Sequence, residues 1–224
     1  MVDIYNLFYK YATTTIETTE EENPFEMQSE EQPADALIDK LKKYQIKGPK
    51  LPDDFWTEFI AVSKRLGIDP EELAKVISSE SGFYTGSIAR NEDGNPIAKG
   101  LNQMTLIAAN AIKMPIKKWN NYETLSAKEQ LMWLEKFMSV KNIKGLSAVD
   151  IYIKNFGSHN NPDGSMYASL AYINAHPLRD KFLNPELQDI QYNANKNIDL
   201  IYGNKDGAIS RSDMEAFLKG SSKF

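Results

Sequence analysis

Apolar residues recur at helical spacing along most of the chain, which predicts a mostly α-helical fold. The ranges with this spacing are 34–44, 53–66, 70–81, 105–113, 126–140, 147–155, 166–175 and 210–218. Residues 88–99 differ, because two short apolar segments flank a turn rich in Asn, Asp, Gly and Pro. We therefore expect one small β-hairpin or compact loop beside the helix at 70–81.

The predicted helix at 70–81 has clear end signals. Asp69 is a suitable N-cap, Pro70 fits the first helical position, and Glu72 stands where it would complete a capping box. Gly82 is a typical stop at the C-terminal end. The helix is therefore expected to begin and end between these residues.

Glu80 lies in line with the apolar face of this helix. It follows Leu73, Val76 and Ile77 at the i+7 position of the same face. Burial and the negative end of the helix dipole both disfavour a charged carboxylate, so a raised pKa is predicted. A glutamic acid that stays protonated near neutral pH suits general acid catalysis. The alternative is that Glu80 turns outward to solvent.

Charge divides the chain into a leader and a body. Between Tyr11 and Asp39 there are nine acidic residues and no Lys or Arg, whereas the chain from Lys40 onward carries a net charge of +4. The stretch 13–33 is rich in Thr and Glu and has little to bury. We predict an acidic, largely disordered leader with short helices at 1–50, a linker near 48–52, and one domain at 51–224.

Several classes of function have little support in the composition. The chain has no cysteine, and its two histidines, His159 and His176, are not in metal-ligand spacing. A Ser-His-Asp hydrolase or a histidine-based metalloenzyme is therefore not expected. No apolar run reaches about 20 residues, residues 1–6 lack the features of a secretory signal, and basic residues are not clustered with aromatics. Neither a membrane nor a nucleic acid is expected as a partner.

Three motifs follow one another around the Glu80 helix. Glu-Ser-Gly-Phe-Tyr at 80–84 ends the helix, Ala-Arg-Asn lies at 89–91, and Gly-Leu-Asn-Gln lies at 100–103. This arrangement resembles the lytic transglycosylase and goose-type lysozyme family. The resemblance implies a lysozyme-like α+β fold with Glu80 as the catalytic acid that cleaves peptidoglycan.

The same resemblance implies roles for the neighbours of Glu80. Ser81 would steady the cleft as part of the substrate site, and Gln103 would point its amide toward the sugar. An amide can both donate to and accept from a sugar or its N-acetyl group. Phe83 or Tyr84 is predicted to stack on a sugar face.

Two later stretches, 125–137 and 150–157, resemble helices of phage-encoded members of this family. By that match Tyr152 would lie across the cleft near Glu80. The alternative for Tyr152 is a core aromatic residue with no direct part in catalysis.

The segment 192–210 resembles the calcium-loop-like end of those phage enzymes. On an EF-hand frame the ligand positions fall on Asn204, Asp206 and Asp213, with Gly207 at the glycine position. Tyr202 occupies the first ligand position and cannot supply a carboxylate, and Asp199 could replace it only if three residues looped out. A degenerate loop with weak or absent calcium binding is predicted, and no other metal or cofactor.

The number of catalytic carboxylates stays open at the level of sequence. Glu92 and Asp93 are candidates for a second carboxylate, although both also suit a turn. Lytic transglycosylases manage with a single Glu, and this is the favoured interpretation. The alternatives are a lysozyme-type hydrolase with two carboxylates and a non-catalytic virion protein that keeps the fold.

The predicted partner is the glycan strand of peptidoglycan. By the resemblance to phage enzymes, the expected location is a virion or its tail, where the acidic leader would bind other virion proteins. The alternative location is the host cytoplasm, as an endolysin.

Overall fold

The computed structural model describes residues 34–91, 93–156 and 161–221. Its α-helices are α1 Ala34–Lys42, α2 Asp53–Leu66, α3 Pro70–Ser81, α4 Leu106–Ala111, α5 Ile116–Asn120, α6 Ala127–Ser139, α7 Ala148–Phe156, α8 Leu170–Ala175, α9 Pro185–Asn195 and α10 Arg211–Ser221. A π-helical turn, Ile198–Tyr202, follows α9. The strands are β1 Ile88–Arg90, β2 Pro96–Lys99, β3 Met104–Thr105, β4 Tyr167–Ala168 and β5 Ala208–Ile209. None of the helices described is both long and apolar enough to cross a bilayer.

The mostly helical fold with small antiparallel sheets is the predicted one. Strands β1 and β2 form the expected hairpin, with Ile88 opposite Lys99, and β3 adds a third strand through Ala98 opposite Thr105. A second antiparallel sheet of two strands, β4 and β5, was not predicted. Strands of two residues are too short to show an alternating pattern in the sequence.

Helix α3, which carries Glu80, lies against several other helices. It packs against α1, α2, α7 and α10. The predicted apolar face is fully buried, since Leu73, Val76 and Ile77 have no exposed surface. Glu80 therefore lies on a helix whose apolar face is completely buried by its neighbours.

The ends of α3 follow the predicted signals with one exception. Asp69 accepts a hydrogen bond from the Glu71 N–H at 2.7 Å, and Gly82 adopts φ 63° at the C-terminal end. The predicted capping box is not formed, because the Glu72 carboxylate accepts from the Ala148 N–H at 2.6 Å instead. Glu72 thus joins the start of α7 to α3 rather than closing its own helix.

The packed unit begins earlier than the sequence predicts. Residues 34–50 belong to it, because Leu41 is fully buried, Ile38 and Tyr44 are 8% exposed, and the Tyr44 carbonyl accepts from Ser78 Oγ at 2.8 Å. The Gly-Pro segment predicted to be a linker is a bend against the domain, where Gly48 adopts φ 73°. The stretch 13–33, for which disorder is predicted, lies outside the described residues.

Candidate active site

Glu80 lies in the last turn of α3 and is half-buried. Burial raises the pKa of its carboxyl from 4.5 to about 8, while a hydrogen bond with Tyr152 acts in the opposite direction. Burial is the stronger effect, because the free energy needed to remove a carboxylate from water is larger than the stabilisation that one hydrogen bond from a hydroxyl provides. At neutral pH the carboxyl is therefore predominantly protonated.

Tyr152, on α7, forms a hydrogen bond with the Glu80 carboxyl. It is 5% exposed, and its hydroxyl is hydrogen-bonded with both Ser79 and Glu80. Burial, followed by the charge of Glu80, raises the pKa of Tyr152 well above its ordinary value. Tyr152 therefore stays protonated and can donate to Glu80 when the carboxyl ionises. This places Tyr152 beside Glu80, and its ring also packs edge-on against Phe217 at 5.9 Å.

A second carboxylate does not influence Glu80 among the described residues. Burial and the Tyr152 hydrogen bond are the two causes of the Glu80 pKa shift. Asp93 lies at the exposed tip of the β1–β2 hairpin. Glu92, the other candidate, lies outside the described residues.

The Gly-Leu-Asn-Gln turn at 100–103 is hydrogen-bonded directly to the end of the helix that carries Glu80. Ser81 Oγ donates to the Leu101 carbonyl at 2.6 Å, and Ser81 is only 2% exposed. Ser81 therefore joins two parts of the site and, being buried, has no surface with which to contact a sugar. The substrate contact predicted for Ser81 is replaced by this structural contact.

Gln103 ends that turn in a left-handed conformation, with φ 46°. Its Nε2 donates to the Gly100 carbonyl at 3.0 Å, and the residue is half-buried. Among the described residues, the Gln103 side chain makes this one hydrogen bond. Its carbonyl oxygen can accept from a ligand, as the predicted role requires.

Phe83 and Tyr84, both predicted to stack on a sugar, have different environments. Phe83 is 1% exposed, and its ring centroid lies 4.9 Å from that of Trp56 and 5.5 Å from that of Phe59. Phe83 is therefore a core residue, and its predicted contact with sugar is corrected. Tyr84 is 39% exposed and keeps a surface that a sugar ring could cover.

Two buried polar residues that the sequence analysis missed support the hairpin. Gln130 is fully buried on α6 and accepts from the Leu101 N–H at 2.8 Å. Lys99 is 4% exposed, donates to the Asn120 carbonyl at 2.7 Å and pairs with Glu123 at 3.0 Å. Gln130 did carry a signal, since it lies four residues before a buried leucine on the apolar face of α6.

The C-terminal loop is organised around the carboxylate of Asp199. This fully buried group accepts from the Lys205 N–H at 2.7 Å, the Gly207 N–H at 3.0 Å and the Tyr192 hydroxyl at 2.8 Å. Backbone and hydroxyl donors thus surround the carboxylate, which serves as the centre of the loop.

The predicted calcium ligands are also engaged with donors from the chain. Asp206 accepts from the Ala208 N–H at 2.9 Å and from Asn204 Nδ2 at 2.9 Å, and Asp213 accepts from the Ser210 N–H at 2.8 Å. No group of three or more His, Cys, Asp or Glu side chains that could hold a metal ion is found among the described residues. These carboxylates act as caps and turn-formers in this arrangement.

Replacing Asp199 with asparagine is expected to lower the free energy of unfolding by about 2–3 kcal/mol, because an amide cannot accept from all three donors. The melting temperature of the wild-type protein is expected to be the same with calcium and with a chelator. Calorimetry of both proteins in the two buffers checks this. A wild-type melting temperature that rises by several degrees with calcium would contradict it.

A shallow depression of about 440 Å³ lies in the C-terminal part of the domain. It is lined by residues that include Tyr172, His176 and Lys205 and by none of the predicted catalytic or sugar-binding residues. His176 directly follows α8 as its C-cap, stacks on Tyr172 and accepts from the Leu178 N–H at 3.1 Å. His159 lies outside the described residues.

Replacing Tyr152 with phenylalanine is expected to raise the pKa of Glu80 further, by about half to one unit. The Tyr152 hydroxyl stabilises the ionised form of Glu80, and the variant loses that hydroxyl. Titration of the Glu80 side-chain carboxyl carbon by ¹³C NMR between pH 5 and 10 measures the pKa. Tyr172→Phe, which loses a hydroxyl that is hydrogen-bonded to Asp163, is the matched control. A lower pKa of Glu80 in Tyr152→Phe, or an equal shift of that pKa in the control, would contradict this role.

Comparison of the chain with protein families, with curated proteins and with solved structures found no match. The resemblance of the 80–103 motifs to lytic transglycosylases therefore stays a prediction.

Proposed function

We propose that this protein cleaves the β-1,4 bond between N-acetylmuramic acid and N-acetylglucosamine in peptidoglycan, as a lytic transglycosylase. The observation that carries the proposal is the environment of Glu80. Its carboxyl is half-buried and hydrogen-bonded to Tyr152, and its pKa is raised to about 8. A carboxylic acid that is protonated at neutral pH can protonate a glycosidic oxygen.

In the proposed reaction Glu80 acts first as an acid and then as a base. Its proton passes to the glycosidic oxygen as the bond to the muramic acid C1 breaks, and N-acetylglucosamine leaves with that oxygen. The Glu80 carboxylate then takes the proton of the muramic acid C6 hydroxyl, whose oxygen bonds to C1 and closes a 1,6-anhydro ring. Glu80 ends protonated as it began, and no water is consumed.

The surroundings of Glu80 support this cycle at each stage. Burial favours the protonated acid before the first step, and the Tyr152 hydroxyl stabilises the carboxylate between the steps. A cycle with one carboxylate is consistent with the absence of a second charged influence on Glu80 among the described residues. Gln103 and Tyr84 are the proposed sugar contacts, through an amide oxygen and an exposed ring.

The location of the protein belongs to the same proposal. A phage virion or tail is favoured, with the acidic leader binding other virion proteins, and release into the host cytoplasm as an endolysin is the alternative. Both rest on the resemblance to phage enzymes and on the charge difference between leader and body.

The proposal is tested by digesting purified peptidoglycan and analysing the released muropeptides by mass spectrometry. Products that end in 1,6-anhydro-muramic acid are the expected result for the wild type, and none for Glu80→Gln. Chitin oligomers, which lack the lactyl group, serve as the control substrate and are expected to stay intact.

The other outcomes distinguish the alternatives. Products with reducing ends would contradict the transglycosylase and favour a hydrolase that uses Glu92 or Asp93 as its second carboxylate. Cleaved chitin oligomers would contradict the requirement for muramic acid. No product from any wall tested would favour a non-catalytic virion protein.

A further inference from the structure

Gln130 is a fully buried amide whose hydrogen bonds all reach other elements or loops of the fold. Its Oε1 accepts from the Leu101 N–H at 2.8 Å. Its Nε2 donates to the carbonyls of Tyr122, Thr85 and Leu125 at 2.9, 3.1 and 3.2 Å. One side chain thus joins the segment after α3, the turn after the hairpin and the chain that enters α6.

In the turn at Gly100–Gln103, the backbone lies very close to the Gln130 side chain. Gly100 adopts φ 73°, and a Cβ at that position would lie 2.6 Å from Tyr122 Cε1 and would collide with Gln130 Oε1. Only glycine lets the backbone lie against these two side chains. The position of the turn is therefore set by direct contact with Gln130 and Tyr122.

This contact continues to the catalytic helix. Leu101, whose N–H is held by Gln130, offers its carbonyl to Ser81 Oγ at 2.6 Å. Ser81 directly follows Glu80, and Gln103 ends the same turn two residues after Leu101. A shift of the turn would therefore displace Gln103 and loosen the end of the helix that carries Glu80.

We propose that Gln130 is a positioning residue for glycan cleavage, which acts through Leu101 and Ser81 to hold the Gly100–Gln103 turn against the end of the Glu80 helix. This inference rests on the function proposed above. Gln130 touches no substrate and takes part in no proton transfer. We expect loss of Gln130 to lower kcat, the rate at which the enzyme–glycan complex reacts, because small displacements of reacting groups have large effects on that rate.

The chain offers a matched comparison in Gln188. This amide is also fully buried, and it bonds with Asn161 at 2.7 and 2.8 Å and with the Leu183 carbonyl at 2.8 Å. Gln188→Met removes the same chemical group from α9, which does not hold the Gly100–Gln103 turn. Both methionine variants are expected to lose stability, and only Gln130→Met is expected to lose catalysis.

The experiment measures kcat and KM on soluble glycan strands for the full chain and its variants, together with urea unfolding to determine the folded fraction. For folded Gln130→Met we expect kcat to fall at least about tenfold. Gln130→Glu, which keeps the acceptor for the Leu101 N–H, is expected to lose less. Gln188→Met is expected to keep kcat within about twofold of the wild type.

Each other outcome overturns the inference in a recognisable way. An unchanged kcat in folded Gln130→Met, or an equal loss in Gln188→Met, would show that Gln130 has only a structural role. If Gln130→Met does not fold, Ser81→Ala decides, because it removes the contact with the Leu101 carbonyl through which Gln130 is proposed to act, and an unchanged kcat in that variant would overturn the proposal. A wild type that cleaves no glycan would overturn the proposed function, and this inference with it.

Discussion

Glu80→Gln is expected to lower the rate of glycan cleavage by about a thousandfold and, at the same time, to make the protein more stable at neutral pH. Glutamine keeps the size of the side chain and an oxygen for the Tyr152 hydroxyl, but it carries no proton to transfer. Loss of activity without loss of structure is therefore expected. Muropeptide release and urea unfolding measure the two effects.

The gain in stability has a defined dependence on pH. Below about pH 4.5 the carboxyl is protonated in both the folded and the unfolded chain. Ionisation of Glu80 then makes no contribution to the difference in stability between the wild type and Glu80→Gln. Between pH 4.5 and about 8 the unfolded chain ionises Glu80 while the folded protein keeps the proton, and the wild type loses stability relative to Glu80→Gln. At pH 7 the variant is expected to be more stable by about 3 kcal/mol.

Glu71→Gln is the control for this result. Glu71 lies in the first turn of the same helix and pairs with Lys40, so neutralising it removes a favourable contact. No gain in stability is expected in this variant. A Glu80→Gln protein no more stable than the wild type at pH 7, or a gain that grows as the pH is lowered, would contradict a raised pKa at Glu80.

Phe83→Ala is expected to lower the free energy of unfolding by about 3–5 kcal/mol. The Phe83 ring is 1% exposed and lies among the rings of Phe55, Trp56 and Phe59, so its removal leaves a cavity in the aromatic core. Urea unfolding at fixed pH measures the loss. Unchanged stability together with weaker sugar binding would restore Phe83 as a substrate contact.

Tyr84→Ala provides the contrasting variant at the next residue. Because Tyr84 is 39% exposed, the expected loss of stability is smaller, about 1 kcal/mol, and the main expected effect is a higher KM for glycan strands. Comparison of Phe83→Ala with Tyr84→Ala would then distinguish a residue that stabilises the core from one that binds substrate at the surface.

Local signals in the sequence correctly predicted the ends of α3, the helix that carries Glu80. Asp69, Pro70 and Gly82 set the ends of α3, and Ser126 and Glu129, in the spacing typical of a capping box, form one at the start of α6. Each of these signals acts within a few residues, so the sequence is enough to recognise it. The apolar face and the place of Glu80 on it follow from the same local periodicity.

Contacts between distant segments could not be predicted in this way. Glu72 suits a capping box, yet its carboxylate bonds with Ala148, which is 76 residues away. Phe83 follows the last turn of α3 like its exposed neighbour, yet φ 62° after Gly82 turns its ring into the core. Gln130 holds Leu101 across 29 residues. A pattern along the chain contains no information on which partner such a side chain meets.

The beginning of the domain shows the same limit. Gly48 and its neighbouring prolines are typical of a linker. In the structure the Gly48 backbone instead lies so close to the Tyr84 ring that a Cβ there would be 2.6 Å from Tyr84 Cδ2. Glycine is required at this bend because of a close contact within the folded unit, and composition alone does not distinguish this from a linker.

The most direct test of the role proposed for Glu80 is a measurement of its pKa in the free protein. Its side-chain carboxyl carbon can be followed by ¹³C NMR from pH 4 to 10, with the signal assigned by its absence in Glu80→Gln. We expect a midpoint of about 8. A midpoint near the ordinary value of 4.5 would show a solvated carboxylate, and Glu80 would then not be the protonated acid that the proposed reaction needs.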